Sequence, residues 1–352
     1  MSVSQVQKAI HSFKAGTAPG PSGLRAEHLK EAIGTIAAGS GSRAAAAVTA
    51  LVNLLSAGKV PPEVAVYLCG SRLYAAIKKD GGLRPVAVGN LSRRLTSKCL
   101  AFSVSPRAAL YLRPLQFGVG VKGGTEGIVH SIRSITEDEN IHHEDKWVLQ
   151  VDLENAHNLV DREAAFSEIR THFPEISRWF ETCYSVQAEL LWGQSVILSC
   201  TGFHQGCPLA GIGCALVIQP VALRIQQEVP RLKAHAWFQD DVNLVGKKTD
   251  LAKALSIIKD DGPPRGLHLK PKKSKVWCPE HPLEDKFPLG PEIQRVLGHG
   301  IQVLGSPVGH VGFSQGFVEA KVADLEELLG NLHFLKDPHS EFALLGNCFS
   351  LP

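Results

Sequence analysis

The chain has 352 residues, of which 44% are hydrophobic and 20% are charged. At about 150 residues per domain this length suggests roughly two domains, and the composition excludes a disordered or fibrous protein. Lysine and arginine number 37 against 34 aspartates and glutamates, a net charge of +3. So small an excess does not by itself indicate a nucleic-acid-binding protein, so any polyanion site must be a local patch.

Two further classes are excluded by pattern. The N-terminus has no apolar run of the signal-peptide type. The longest apolar runs, at 44–55 and 209–218, fall short of the roughly 20 residues that a membrane-spanning helix needs. The eight cysteines form no paired CxxC modules, which argues against a disulfide scaffold or zinc ribbon. We therefore expect an intracellular protein, nuclear or cytoplasmic, with no membrane partner.

Hydrophobic spacing, with glycine and proline at the boundaries, predicts helices and strands in mixed order in the first half of the chain. They predict helices over 24–33, 44–55, 91–112 and 125–136, and strands over 73–77, 84–88 and 147–153. The Asp-Gly-Gly signal in 78–82 predicts a hairpin turn between the first two strands. The strand over 147–153 is an apolar run that contains one carboxylate, Asp152.

The second half alternates helices with short strands that favour antiparallel pairing. We predict helices over 162–173, 175–183, 209–228 and 250–259, and strands over 188–191, 196–200, 235–238, 242–245, 267–269, 275–277 and 302–304. This order is not the βαβα alternation of a doubly wound sheet, and it indicates an α+β protein.

Three carboxylates stand out by their context. Asp152 comes at the end of a buried-looking strand, and Asp240 and Asp241 lie side by side between two short apolar strands. Neighbouring residues of a strand point to opposite faces, so a pair that shares one site must lie at a tight turn. Unpaired carboxylates beside an apolar sheet need compensation, and a pair of divalent metal ions provides it in phosphoryl transfer.

These acids also have an ordinary interpretation. Aspartate is favoured in hairpin turns, and Asp152 alone could simply end a strand. Whether these acids form a metal site must therefore be judged from the segments that flank them.

A series of segments occurs in a fixed order along the chain. The segments are 18–30, 83–86, 116–118 with 123–125, 151–162, 202–210, 238–241, 266–274 and 304–309. Together they resemble the motifs of reverse transcriptases from non-long-terminal-repeat retrotransposons. The most specific is Gly202-Phe203-His204-Gln205-Gly206-Cys207-Pro208-Leu209-Ala210, and the resemblance covers roughly 14–310.

The resemblance implies a right-hand polymerase fold of α+β class, with an antiparallel palm sheet packed on helices. It implies fingers over 1–145, a palm over 146–310 into which part of the fingers returns near 165–200, and a palm end with the start of a truncated thumb over 311–352. We therefore expect the thumb to be truncated or absent.

The resemblance also implies a role for each matching residue. Metal ions would be held by Asp152, Asp240, Asp241 and the carbonyl of Leu153. The incoming triphosphate would contact Lys78 and Arg84, because arginine binds phosphate oxygens in a bidentate way. Gln205 and Gly206 would lie along the nucleotide and template, His157 against the sugar, and Lys273 would give a proton to the pyrophosphate leaving group.

The implied activity is RNA-directed DNA polymerase activity of a retroelement. Its partners would be an RNA template, a DNA primer and a dNTP, with two Mg²⁺ ions, or Mn²⁺, as cofactors. A lysine cluster at 270–275 would suit a phosphate backbone, although it would equally suit a plain solvated surface. The oligomeric state is open.

The chain departs from the family pattern at three central positions. His157 stands where an aromatic gate against the ribose 2′-hydroxyl is usual, Asn158 where an acid is usual, and Gln239 where a small or apolar residue is usual. A second hypothesis is therefore a truncated, catalytically weak relic that keeps the fold and binds nucleic acid. A Mg²⁺ nuclease would share the carboxylates but would not explain the segment 202–210.

Overall fold

A computed structural model of the chain describes residues 1–34, 43–78, 81–279 and 289–346. The helices are α1 (Val3–His11), α2 (Ala26–Ile33), α3 (Arg43–Ser56), α4 (Pro62–Cys69), α5 (Leu91–Leu112), α6 (Gly124–Glu137), α7 (Ala156–Leu159), α8 (Arg162–His172), α9 (Pro174–Tyr184), α10 (Ala210–Glu228), α11 (Lys248–Asp261), α12 (Val311–Gly330) and α13 (Pro338–Leu344). The strands are β1 (Ser71–Ile77), β2 (Leu83–Gly89), β3 (Trp147–Val151), β4 (Ala188–Trp192), β5 (Ser195–Ser199), β6 (Ala234–Phe238), β7 (Asp241–Gly246), β8 (Lys275–Trp277), β9 (Gln294–Arg295), β10 (Gly300–Val303) and β11 (Ser306–Gly309).

A five-stranded sheet in the order β6-β7-β3-β8-β9 forms the centre of the molecule. Strand β3 pairs antiparallel with β7 on one side and with β8 on the other. Its apolar side chains are buried on both faces: Leu149 and Val151 join the large core that contains α8 to α11, and Val148 joins a second core. The second core includes α6 and the β10–β11 hairpin. Because both faces are covered, β3 reads as a continuous apolar run rather than an alternating one.

A second sheet has four strands in the order β2-β1-β4-β5. The antiparallel β1–β2 hairpin is joined through β1 to β4, which runs parallel to it at Ser71 and Arg72. Strands β4 and β5 are far along the chain, so the polypeptide returns to the hairpin region after β3. This return falls inside the range 165–200 that we expected to rejoin the N-terminal part; the domain boundaries themselves stay a prediction.

The predicted α+β class, with sheets packed on helices, is confirmed. One predicted strand is wrong: 267–269 makes only an isolated bridge between Leu153 and Leu269, because a Gly262-Pro263-Pro264 turn and Pro271 confine it. Helices α1, α4 and α7 and strands β9 and β11 have no counterpart among the predicted elements. In the part of the chain that the structure describes, no helix combines the length and apolar character needed to cross a bilayer.

Candidate active site

The three candidate carboxylates meet at one end of the five-stranded sheet. Val151 of β3 pairs with Val242 of β7, so Asp152 just after β3 and Asp241 at the start of β7 lie at the same edge. Asp240 and Gln239 form the two-residue turn between β6 and β7. Register and turn together bring carboxylates from distant parts of the chain to one place, as the tight-turn argument requires.

These carboxylates face an open pocket of about 450 Å³. Nine of the ten residues assigned site roles by sequence line this pocket, namely Lys78, Arg84, Asp152, Leu153, His157, Gln205, Asp240, Asp241 and Lys273. Lys270, Cys207 and Gln239 also line it. The tenth, Gly206, lies in the adjoining loop and packs elsewhere. The structure thus gathers acids and cations in one cavity, while the role of each residue stays a prediction.

Burial and mutual repulsion perturb the acids. Burial, reinforced by the charges of Asp240 and Asp152, raises the pKa of Asp241 to about 6. Burial also raises the pKa of Asp152, and the attraction of Lys273 and Lys270 does not cancel the effect. Both pKa values are raised, which indicates that the protein alone does not fully compensate the negative charge on this edge of the sheet.

The donor set suits a divalent cation, because hard ions such as Mg²⁺ prefer carboxylate oxygens. Among the described residues, none donates a hydrogen bond to the side-chain oxygens of Asp152, Asp240 or Asp241 at hydrogen-bonding distance. Within the same ranges, no three His, Cys, Asp or Glu side chains converge on a single point as ligands of one ion. Mg²⁺ commonly keeps several waters and takes only one or two carboxylates together with substrate phosphates, so a looser arrangement is compatible with it.

Asp152 is fixed through its backbone. The buried hydroxyl of Ser274 accepts a hydrogen bond from the Asp152 N–H at 3.1 Å and donates one to the Lys270 carbonyl at 3.0 Å. The Lys270 N–H donates to the Asp152 carbonyl at 2.9 Å. The segment that carries Lys270 and Lys273 is therefore tied directly to the backbone of Asp152. Sequence reasoning had treated Ser274 only as part of a motif.

The loop 201–209 and the short helix α7 are packed backbone to backbone. The Phe203 N–H donates to the His157 carbonyl at 2.6 Å, and Gly202, with φ of 59°, lies against Asn158 so closely that a Cβ at this position would overlap the Asn158 backbone. This contact seats His157 at the pocket wall. Burial lowers the pKa of His157, Asp240 opposes the shift and Arg84 adds to it, and the ring Nδ1 has no hydrogen-bond partner within the described residues.

Gly206 packs against strand β2 rather than lining the pocket. A Cβ on Gly206 would overlap the carbonyl of Ala87, so only glycine permits the loop to approach the β1–β2 hairpin this closely. Gln205, its neighbour, faces the pocket. Gly206 therefore sets the distance between the loop and the hairpin that carries Lys78 and Arg84.

A buried polar network beneath this loop was missed by sequence reasoning. Arg93 of α5 is 2% exposed, and it donates hydrogen bonds to the Cys69 carbonyl and to His204 Nδ1, the latter at 2.8 Å. The other ring nitrogen of His204 lies 3.0 Å from the Ser199 hydroxyl. Burial, with Arg93 and Arg162 nearby, lowers the pKa of His204 to about 2, so the ring is neutral and accepts from Arg93 at Nδ1. An arginine in an amphipathic helix looks like a surface residue, so the sequence held no signal for this.

The family description "Reverse transcriptase (RNA-dependent DNA polymerase)" matches residues 77–308, well over half of the chain. The chain belongs to this reverse transcriptase family. The matched range contains all the pocket residues named above, from Lys78 to Lys273. Family membership is in keeping with the right-hand polymerase fold expected from the motifs, and it supports reverse transcription as the general class of function.

One similar solved structure is that of apo telomerase from Candida tropicalis, truncated from the C-terminal domain. It shares 15% sequence identity with this chain at a TM-score of 0.48, and the match covers 70% of this chain. The chain spans about half of that telomerase chain, 54% of its length. Among curated proteins, no sequence matches this chain.

Proposed function

We propose that this chain is the RNA-directed DNA polymerase domain of a non-long-terminal-repeat retroelement, extending a DNA primer on an RNA template. The observation that carries the proposal is the pocket in which the three carboxylates of the sheet edge face Lys78, Arg84 and Lys273. Acids and cations that line one pocket suit a reaction that brings metal ions to a triphosphate.

In the proposed reaction the primer 3′-hydroxyl oxygen attacks the α-phosphorus of the dNTP and its proton passes to solvent water. The bond from that phosphorus to the α,β-bridging oxygen of the dNTP breaks, and this oxygen leaves with pyrophosphate. Asp152 and Asp240 would hold two Mg²⁺ ions, helped by Asp241 and the Leu153 carbonyl, and bound ions would neutralise charge on the attacking and leaving oxygens. Because the pKa values of Asp152 and Asp241 are raised, such ions would supply the compensation that these two carboxylates lack.

The remaining pocket residues would position the substrate and manage protons. Lys78 and Arg84, on the β1–β2 hairpin, would bind the triphosphate oxygens, and Lys273 would donate a proton to the departing pyrophosphate. His157 and Gln205 would lie against the sugar and base of the incoming nucleotide. The contact of Gly206 with β2 would hold the hairpin over the site.

Primer extension on a defined RNA template tests this proposal. We expect Mg²⁺-dependent addition of dNTPs by the parent chain and a loss of at least about 10³-fold in Asp240→Asn, because the carboxylate would be a metal ligand. Asp260→Asn, an exposed position on α11, is the matched control and should extend like the parent. Equal extension by Asp240→Asn and the parent would contradict the proposal.

A second candidate is a chain that keeps the fold and binds nucleic acid without catalysis. The observation that favours it is the departure from the family pattern at three central positions, His157, Asn158 and Gln239. Salt-dependent binding of an RNA–DNA duplex without Mg²⁺- or Mn²⁺-dependent extension would establish it, and sustained extension would exclude it.

A further inference from the structure

The turn that carries Asp240 holds a conformation that its own sequence does not favour. Gln239, its first residue, has φ of 56°, in the left-handed region that residues other than glycine rarely adopt. Strands β6 and β7 continue directly from this turn, so its conformation determines where Asp240 and Asp241 are placed. Some surrounding contact must hold it.

That contact comes from the segment 115–118, which runs beside β6. The Phe117 N–H donates to the Trp237 carbonyl at 2.7 Å, and the Trp237 N–H donates to the Leu115 carbonyl at 2.8 Å. Gln116, between these bonds, is therefore placed in register with the end of β6, and it is 2% exposed.

The Gln116 side chain forms hydrogen bonds with both backbone groups of Gln239. Its Oε1 accepts the Gln239 N–H at 2.7 Å, and its Nε2 donates to the Gln239 carbonyl at 3.0 Å. The same Oε1 accepts the Gly118 N–H at 2.9 Å. Two N–H groups on one atom and a carbonyl on the other fix which end of the amide is oxygen.

The Gln239 side chain in turn forms a hydrogen bond with the segment 115–118. Its Nε2 donates to the Gly118 carbonyl at 2.6 Å, so Gln116, Gly118 and Gln239 form a closed set of four hydrogen bonds. A Cβ on Gly118 would lie 2.6 Å from the Gln239 nitrogen, which explains why glycine occupies that position. The polar residue at 239, unexpected in a buried hairpin, thus has a partner outside the hairpin.

We infer that Gln116 is a positioning residue that holds the Gln239–Asp240 turn in its left-handed conformation and so aims the carboxylates into the pocket. Gln116 is not one of the described residues that line the pocket, so it acts through the turn and not on the substrate. The effect on turnover rests on the proposed polymerase function; the effect on the turn does not.

The test compares Gln116→Met with Gln219→Met. Both glutamines are 2% exposed and both variants keep side-chain length. Gln219, however, is in α10, and among the described residues its Nε2 donates to the Tyr111 carbonyl alone, at 3.4 Å. Hydrogen exchange of the peptide spanning 236–242 reports the turn without any need for activity. Single-nucleotide addition, with kcat and KM measured separately, reports the site, and thermal unfolding shows that each variant folds.

In Gln116→Met we expect exchange in 236–242 to be at least about tenfold faster than in Gln219→Met, since the Gln239 amide loses its acceptor. We expect kcat to fall about 10²-fold with KM for the dNTP little changed, as for displaced but intact catalytic groups. Gln116→Glu, which keeps an acceptor for the two N–H groups but loses the donor to the Gln239 carbonyl, should speed exchange at the turn by less than Gln116→Met.

Equal exchange in the two methionine variants would overturn the inference, as would faster exchange with unchanged kcat in an active enzyme. A rise in KM with kcat intact would overturn it too, because it would place Gln116 on the substrate. If the parent chain adds no nucleotide, the proposed function fails, and the exchange comparison with Gln116→Glu still decides whether Gln116 holds the turn.

Discussion

Replacing Gly202 by alanine tests how closely the loop 201–209 must approach helix α7. Gly202 has φ of 59°, and a Cβ there would overlap the Asn158 backbone. The chain offers a matched control in Gly193, in the β4–β5 turn, which has φ of 57° and nothing within 4 Å of its Cβ position. The two glycines therefore share the backbone cost and differ only in the close contact.

The two contributions have known sizes. Alanine in the left-handed region costs about 1–2 kcal/mol, which Gly193→Ala should show by itself. Inserting a methyl group into a packed contact costs a further ~1–3 kcal/mol. We therefore expect Gly202→Ala to lower the free energy of unfolding by about 2–5 kcal/mol and to exceed Gly193→Ala by about 1–3 kcal/mol.

Urea unfolding followed by tryptophan fluorescence measures both variants against the parent. Equal slopes with shifted midpoints would identify a change in stability and not in the denatured chain. A difference between the two variants below about 0.5 kcal/mol would refute the packing argument, because surface substitutions that break no specific contact commonly change the free energy of unfolding by that much. Gly202→Ala should also lower nucleotide addition more than Gly193→Ala, since α7 carries His157.

Two further predictions concern the pocket. With the pKa of Asp241 raised to about 6, protons compete with metal below that pH, so the thermal stabilisation by Mg²⁺ should be larger at about pH 7.5 than at about pH 5; a shift independent of pH would contradict it. Without metal, the stability of the fold depends on pH in the opposite direction. The pKa of Asp241 in the folded chain, about 6, lies above its unfolded value of about 3.9, so the contribution of Asp241 to stability falls as pH rises from about 4 to 6. His157→Ala should increase incorporation of ribonucleotides relative to deoxynucleotides by about tenfold, whereas His157→Phe should not; equal ratios in single-turnover assays of the two variants would contradict a role at the sugar.

Local sequence pattern predicted most of the elements around the site. Strands β3, β6 and β7 are short apolar runs bounded by turn residues, and each was predicted within three residues of its bounds. Two adjacent aspartates that share one site must lie at a turn, and Asp240 and Asp241 do lie at the turn between β6 and β7. These features are local in the chain, and local propensity and periodicity are what a single sequence records.

The supports of the site could not be predicted in the same way. Gln116 contacts a residue 123 positions away, and Arg93 contacts His204 across 111 positions. Nothing in the local pattern of α5 distinguishes a buried arginine from a solvated one. Gly206 was expected beside the nucleotide, and the structure adds a reason for glycine that only the approach of β2 reveals.

The electrostatics of the pocket bear on how a chain of nearly balanced charge would bind the polyanions of the proposed function. Burial and repulsion raise the pKa of Asp152 even though Lys270 and Lys273 attract its charge, so the lysines offset only part of the cost of burying it. A divalent ion touching the carboxylates would supply a larger charge at a shorter distance. In the proposed function, such an ion would complete the compensation that Lys273 and Lys270 begin, and the same pocket would then take the triphosphate.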